Sequence, residues 1–183
     1  MEILSAVTHA GQLAAAEVQA VGEVGDTLAA AVDFPAVAAV LAAAAREGDG
    51  NMHPRKFSKH LQHDKIVAAI REAEHKTSGQ IRVSISPNHV DEPVVAAQVE
   101  FMRLGMNQSP ERNGVLIFVA PRAHKFAVIG DEAVHAKCGD EFWRKLADAM
   151  TGYFRKSEFT PGIIHGVQKA GSLLAEHFPR QRG

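Results

Sequence analysis

The feature that most constrains this chain is the run Gly114–Pro121, GVLIFVAP, which offers no polar position on either alternate face. A strand with one solvated face alternates apolar and polar residues. An unbroken apolar strand is buried on both sides and needs a layer of structure above it and another below. The flanking segments supply those layers. Ile81, Val83 and Ile85 alternate with Arg82, Ser84 and Ser86, the pattern of a strand with one polar face. Pro121–His124 reads as a hairpin turn that returns the chain through Lys125–Gly130.

Helical spacing fills the gaps between these strands. Ser58 is placed to cap a helix with Leu61, Ile66, Ala69, Ile70 and Ala73 on one side, closed at Thr77–Gly79 with Gly79 beyond its end. Asp91 and Pro93 open a second helix reaching about Met106. Asp131 starts a third, broken at Gly139 and resumed with Phe142, Trp143, Leu146, Met150 and Phe154 inward. Thr160 and Pro161 cap and open the last, which runs through His177. The order is α-β-α-β-β-α-α. A helix joins the first two strands, so they should run parallel with a right-handed crossover, and the hairpin should reverse the third. The fold class is α/β: a compact three-layer α/β/α sandwich on a small mixed sheet.

This description covers residues 52–183. Residues 1–51 form an Ala-rich acidic extension, poor in large side chains and interrupted by Gly11, Gly22 and Gly25. Its reading is weakly ordered or loosely helical, because it buries little apolar area to offset its ordering entropy. A further reading starts translation at Met52. Charge divides the chain at the same place. Of 20 Lys and Arg and 21 Asp and Glu, residues 1–50 hold 1 and 7, leaving 19 and 14 for the remainder. The extension is thus at −6 and the body at +5.

The single cysteine, Cys138, excludes an internal disulfide, and its apolar helical setting suits a buried side chain better than a nucleophile. Glu2 stands where a secretory signal would be basic. Asp33 and Pro35 interrupt the Ala-rich run before it attains the roughly 20 residues of a membrane span. The chain reads as cytoplasmic, with no membrane span.

The topology sorts the loops onto two rims. One gathers Gly79, Gln80, Glu111, Arg112, Asn113, Asp131 and Glu132; the opposite one gathers Asn88, His89, Arg122 and His124. The first rim is the candidate site. Asp131 and Glu132, with His135 on the same helical face, are candidate ligands for a divalent cation such as calcium or magnesium. Arg112 would engage an anionic oxygen, with Asn113, Gln80 and Arg82 at the margin. The plainer reading makes Asp131 a helix cap, Glu132 an answer to the macrodipole and Arg112 their partner. Arg82 either lies on an exposed edge strand or reaches a carboxylate. No Gly-rich phosphate loop, GxSxG elbow, CxxC pair or basic stripe is present, so nucleic acid is not an expected partner.

The segments TSGQIRVSI (Thr77–Ile85), RNGVLIFVAPRAHKFAVIGDEAVHAKCGDEFW (Arg112–Trp143) and FTPGIIHGVQKAGSLLAEHFP (Phe159–Pro179) resemble the TPM domain family. The likeness covers about residues 57–179 and is closest to the short bacterial branch. It implies a compact α/β/α sandwich. It also implies divalent-metal binding in some members and, from a plant member associated with photosystem II repair, acid phosphatase activity. Two positions depart from the branch: Gln80 replaces a usual Glu, and Ala133 a usual Gly. Two functions are therefore expected in order. The first is an accessory module that docks to another protein; the second is a metal-dependent phosphatase-like hydrolase acting on phosphomonoesters.

Overall fold

In a computed structural model of the chain, which describes residues 41–42 and 54–180, the unbroken apolar run lies at the centre of the sheet. The elements are β1 (Leu41–Ala42), α1 (Pro54–His60), α2 (His63–His75), β2 (Gln80–Ile85), α3 (Pro93–Arg103), β3 (Gly114–Ala120), β4 (Lys125–Gly130), α4 (Glu132–Phe154) and α5 (Phe159–His177). The sheet order is β1-β4-β3-β2. β2 pairs parallel with β3, and β4 returns antiparallel with Val115 opposite Gly130. Apart from Leu41–Ala42, which pair antiparallel with Phe126 and Lys125, the extension lies outside the described residues.

Every residue of β3 is buried, and its two faces feed separate cores. Val115, Ile117 and Val119 join the layer formed by α2, α4 and α5, with Trp143, Met150, Ile163 and Leu174 among its fully buried members. Leu116, Phe118 and Ala120 face α3 through Ala97 and Phe101, with Met106 beside them. Each large side chain so buried contributes about 1.5–3 kcal/mol. The three-layer reading is correct, and the layers are unequal: α1, α2, α4 and α5 on one face and α3 alone on the other.

The helix ends differ from the sequence reading in ways that have local causes. The first helix begins at Pro54, whose fixed φ suits a first turn, and Ser58 lies inside it. The chain breaks at Leu61–Gln62, where the backbone N–H of Gln62 donates to Thr160 Oγ1 at 3.1 Å. Thr160 therefore serves a distant loop and does not cap α5, which starts at Phe159 after Glu158. Asp91 does not cap α3; Glu92 holds that position without a side-chain bond, and Pro93 opens the helix. Gly79 takes no left-handed cap. A Cβ there would meet the Asn113 carbonyl oxygen at 2.9 Å, so close packing excludes a side chain. Gly139 does break its helix, at φ 64° inside α4, a conformation that L side chains rarely adopt.

β2 is an edge strand, one of the two readings open for Arg82. Arg82 reaches Glu74 of α2 at 3.4 Å, and the same carboxylate oxygen accepts the Ile81 backbone N–H at 2.8 Å. Glu74 so covers a donor that an open edge would leave for another strand. Farther along, Ser84 donates to Glu100 of α3 at 2.8 Å, and Arg103 makes two bonds to the same carboxylate. Burial alone would raise the Glu100 carboxyl. The Arg103 and Ser84 bonds outweigh it and hold the group below its ordinary value.

The tightest packing lies where β4 meets α4. A Cβ on Gly130 would sit 2.4 Å from Cζ2 of fully buried Trp143. Gly130→Ala is expected to lower stability by about 1–3 kcal/mol in urea unfolding, as overpacking does in a filled core. A change within 0.5 kcal/mol would mean the indole can move aside.

Candidate functional site

The β3–β4 reversal brings the turn before β3 beside the turn after β4. The Asp131 N–H donates to the Gly114 carbonyl at 2.8 Å, which fixes the start of α4 against the start of β3. Asp131 caps that helix: its Oδ1 accepts the Glu132 N–H at 2.8 Å. The carboxylate is only 1% exposed, and Arg112 answers its charge. Arg112 Nε lies 3.0 Å from both carboxylate oxygens, and a terminal nitrogen lies 2.9 Å from Oδ1. The Asp131 bond raises the Arg112 pKa above its ordinary value, outweighing partial desolvation.

Arg112 occupies the left-handed region at φ 48°, a strained backbone for a non-glycine residue. The strain is offset locally, because its carbonyl then accepts the Ala133 N–H at 3.2 Å while the guanidinium covers Asp131. Asn113, wholly buried, donates to Glu111 at 2.7 Å and to Ser78 Oγ at 3.2 Å. Ser78 in turn donates to Glu111. The rim is thus laced by side chains from three loops. Arg112, Asn113 and Asp131 are brought together as the sequence implied, and Gln80 is exposed at the start of β2.

Other candidates disperse. His135 turns toward Asp140, with Nε2 3.5 Å from Oδ1, and its Nδ1 is buried without a partner. Glu132 is 68% exposed and 4.0 Å from Arg112. Arg82 is engaged by Glu74. Among the described residues, no group of three or more His, Cys, Asp or Glu side chains is placed to hold a metal ion. Asp131, Glu132 and His135 do not converge as a ligand set in this arrangement. Cys138 is half-buried, and desolvation pushes its thiol up to about 11, so it is not poised as a nucleophile. Glu74 and Glu111 were missed as partners of Arg82 and Asn113. Glu111 stands two residues before Asn113, but nothing local says that the pair also holds Ser78.

The TPM domain model matches residues 57–173, and the chain belongs to that family. Among solved structures, the NMR structure of BA42 protein from the psychrophilic bacterium Bizionia argentinensis sp. nov. is similar at 34% identity. It superposes with a TM-score of 0.61 over 67% of this chain and 87% of that one. A search of curated proteins gave no match. No helix among the described residues is long and apolar enough to cross a membrane.

Arg112→Met leaves Asp131 buried with its cap bond alone. The expected loss is about 2 kcal/mol in chemical unfolding, the usual cost of stranding a buried charged acceptor. Adding Asp131→Asn should recover part of it in a double-mutant cycle. Strictly additive losses would mean that the two side chains act independently.

Proposed function

We propose that this chain is an accessory module that works by docking to another protein through the outer face of α3. One observation carries the reading. Val95, Val99 and Met102 follow one another at helical spacing and are 56%, 58% and 42% exposed. They are the large apolar side chains left in solvent among the described residues, and they form one stripe on the helix that stands alone on its side of the sheet. A contiguous apolar stripe rimmed by charge suits a protein surface that buries it. Asp91 and Glu92 stand at one end of the stripe and Arg103 at the other, all exposed. The first rim supports the same reading. Its buried Asp131 and Asn113 side chains are satisfied by neighbours within the rim, which suits a scaffold better than a reaction centre.

A photo-cross-linking residue at position 99 is expected to yield one discrete adduct in cells, lost when Val95→Glu is added. Position 168, on the outer side of α5, should yield none. The captured protein should bind the purified chain and lose at least about tenfold in affinity with Val95→Glu, at unchanged thermal stability. Equal adducts at both positions, or an affinity that Val95→Glu leaves alone, would sink this reading.

A phosphatase dependent on calcium or magnesium is the second reading, and the exposed Glu132 carboxylate beside Arg112 favours it. A cation at Glu132 would leave the Arg112–Asp131 pair intact, with water filling most of its coordination shell. Under this reading p-nitrophenyl phosphate is turned over with one of these cations and Glu132→Gln abolishes the turnover. Absence of turnover with either cation removes it.

A further inference from the structure

Along its whole length α3, PVVAAQVEFMR, carries three polar side chains, Gln98, Glu100 and Arg103. Two of these are engaged within the chain. Glu100 accepts from Ser84 of β2 at 2.8 Å, and Arg103 bonds to the same carboxylate through Nε and Nη2 at 2.7 and 2.8 Å. Ala97 and Phe101 face the sheet, while Val95, Val99 and Met102 stand outward in solvent. A helix apolar on both its inner and its outer side is normally covered on both. Among the described residues no other α-helix contributes to the core on this side of the sheet. A partner helix can therefore approach α3 at the usual packing distance without meeting one.

The three outward residues are spaced by four and then three, which is the spacing of a helix–helix seam. Charge sets the direction of the partner. Glu92, where α3 begins, and Arg103, where it ends, are both exposed. They stand eleven residues apart, about three turns, so they flank the stripe on the same side. Parallel pairing with a like helix would set Glu92 against Glu92 and Arg103 against Arg103. Antiparallel pairing, with Val95 opposite Val99 of the second copy, brings Arg103 within one residue of the second copy's Glu92. That offset is about 1.5 Å of rise, and symmetry makes the pair twice. Glu92 makes no side-chain cap bond, and Nη1 of Arg103 lies outside its bonds to Glu100, so both groups are available. We infer, resting on the α3 docking reading above, that the occupant of the stripe is α3 of a second copy of this chain, packed antiparallel about a two-fold axis.

The contact is short. α3 has 11 residues and presents a strip about 16 Å long and 10 Å wide. A strip of that size falls below the roughly 800 Å² per partner of a standard interface. The pair therefore forms at high concentration and comes apart on dilution. Its apolar seam supplies the attraction, and the two charge pairs select direction and register. Asp91 is not needed for either pair: its carboxylate meets His89 at 3.3 Å and its backbone carbonyl accepts from Lys125.

The test is sedimentation equilibrium of the full 183-residue chain over a concentration series. A monomer–dimer equilibrium is expected, weakened at least about tenfold by Val95→Glu at unchanged thermal stability. Glu92→Arg and Arg103→Glu, each alone, should weaken it at least about threefold, because each sets like charges together at both ends of the pair. An equimolar mixture of those two variants should associate more tightly than either alone, since opposite charges then meet at both ends. In the purified chain, the photo-cross-linker at position 99 should give a species of twice the chain's mass, joined within α3. A chain that stays monomeric at millimolar concentration, or a mixture no tighter than its components, would overturn the inference. A different protein captured at position 99 in cells, beside a purified chain that does not pair, would overturn it and leave the α3 reading standing. Association and capture both indifferent to Val95→Glu would remove the two together.

Discussion

A strand with no polar face must be covered on both sides, and β3 imposes that demand on the whole molecule. Its odd-numbered residues call for the α2, α4 and α5 layer, and its even-numbered ones for α3. Because β3 sits between β2 and β4, its ladder also fixes where every loop emerges. The hairpin that reverses β4 places Gly130 opposite Val115, and from that register follow the Asp131–Gly114 bond and the Arg112–Asp131 pair. Slipping the pairing by one residue would exchange the two faces of β4 between the cores and separate Arg112 from its carboxylate.

The polar chemistry of the chain is distributed unevenly by this frame. On the Asp131 rim Arg112 is spent on Asp131, and Asn113 on Glu111 and Ser78. On the opposite rim His89 pairs with Asp91, and Lys125 donates to the Asp91 backbone carbonyl. The outward side of α3 is left apolar. A polar cluster on one rim and an apolar stripe on the outer side of α3 give the described surface its character. Membership of the TPM domain family is compatible with that character and does not by itself assign a reaction.

Much of this was legible from local pattern. The β3 run announced a doubly covered strand, alternation in β2 announced a strand with one polar face, and Gly139 announced a break. Asp131 before an apolar helical repeat announced a cap, because capping is a contact between neighbours in sequence. The misreadings share a cause. Ser58, Asp91 and Thr160 carry capping chemistry but do not cap: Pro54 and Phe159 start their helices earlier, and Thr160 bonds a backbone N–H 98 residues away. A side chain able to cap is equally able to satisfy a distant donor, and only packing decides which donor is near.

The sequence by itself determined the layers, the direction of each strand and the sorting of loops onto two rims, since those follow from periodicity, chain connectivity and handedness. It also set the unequal charge of the extension and body. Tertiary structure decided which groups are satisfied and which are left over. Glu74 closes the β2 edge, Glu111 reaches both Ser78 and Asn113, and His135 leaves Asp131 for Asp140. Those outcomes depend on angstrom-scale distances between segments far apart in the chain, and spacing along a sequence carries no measure of such distances.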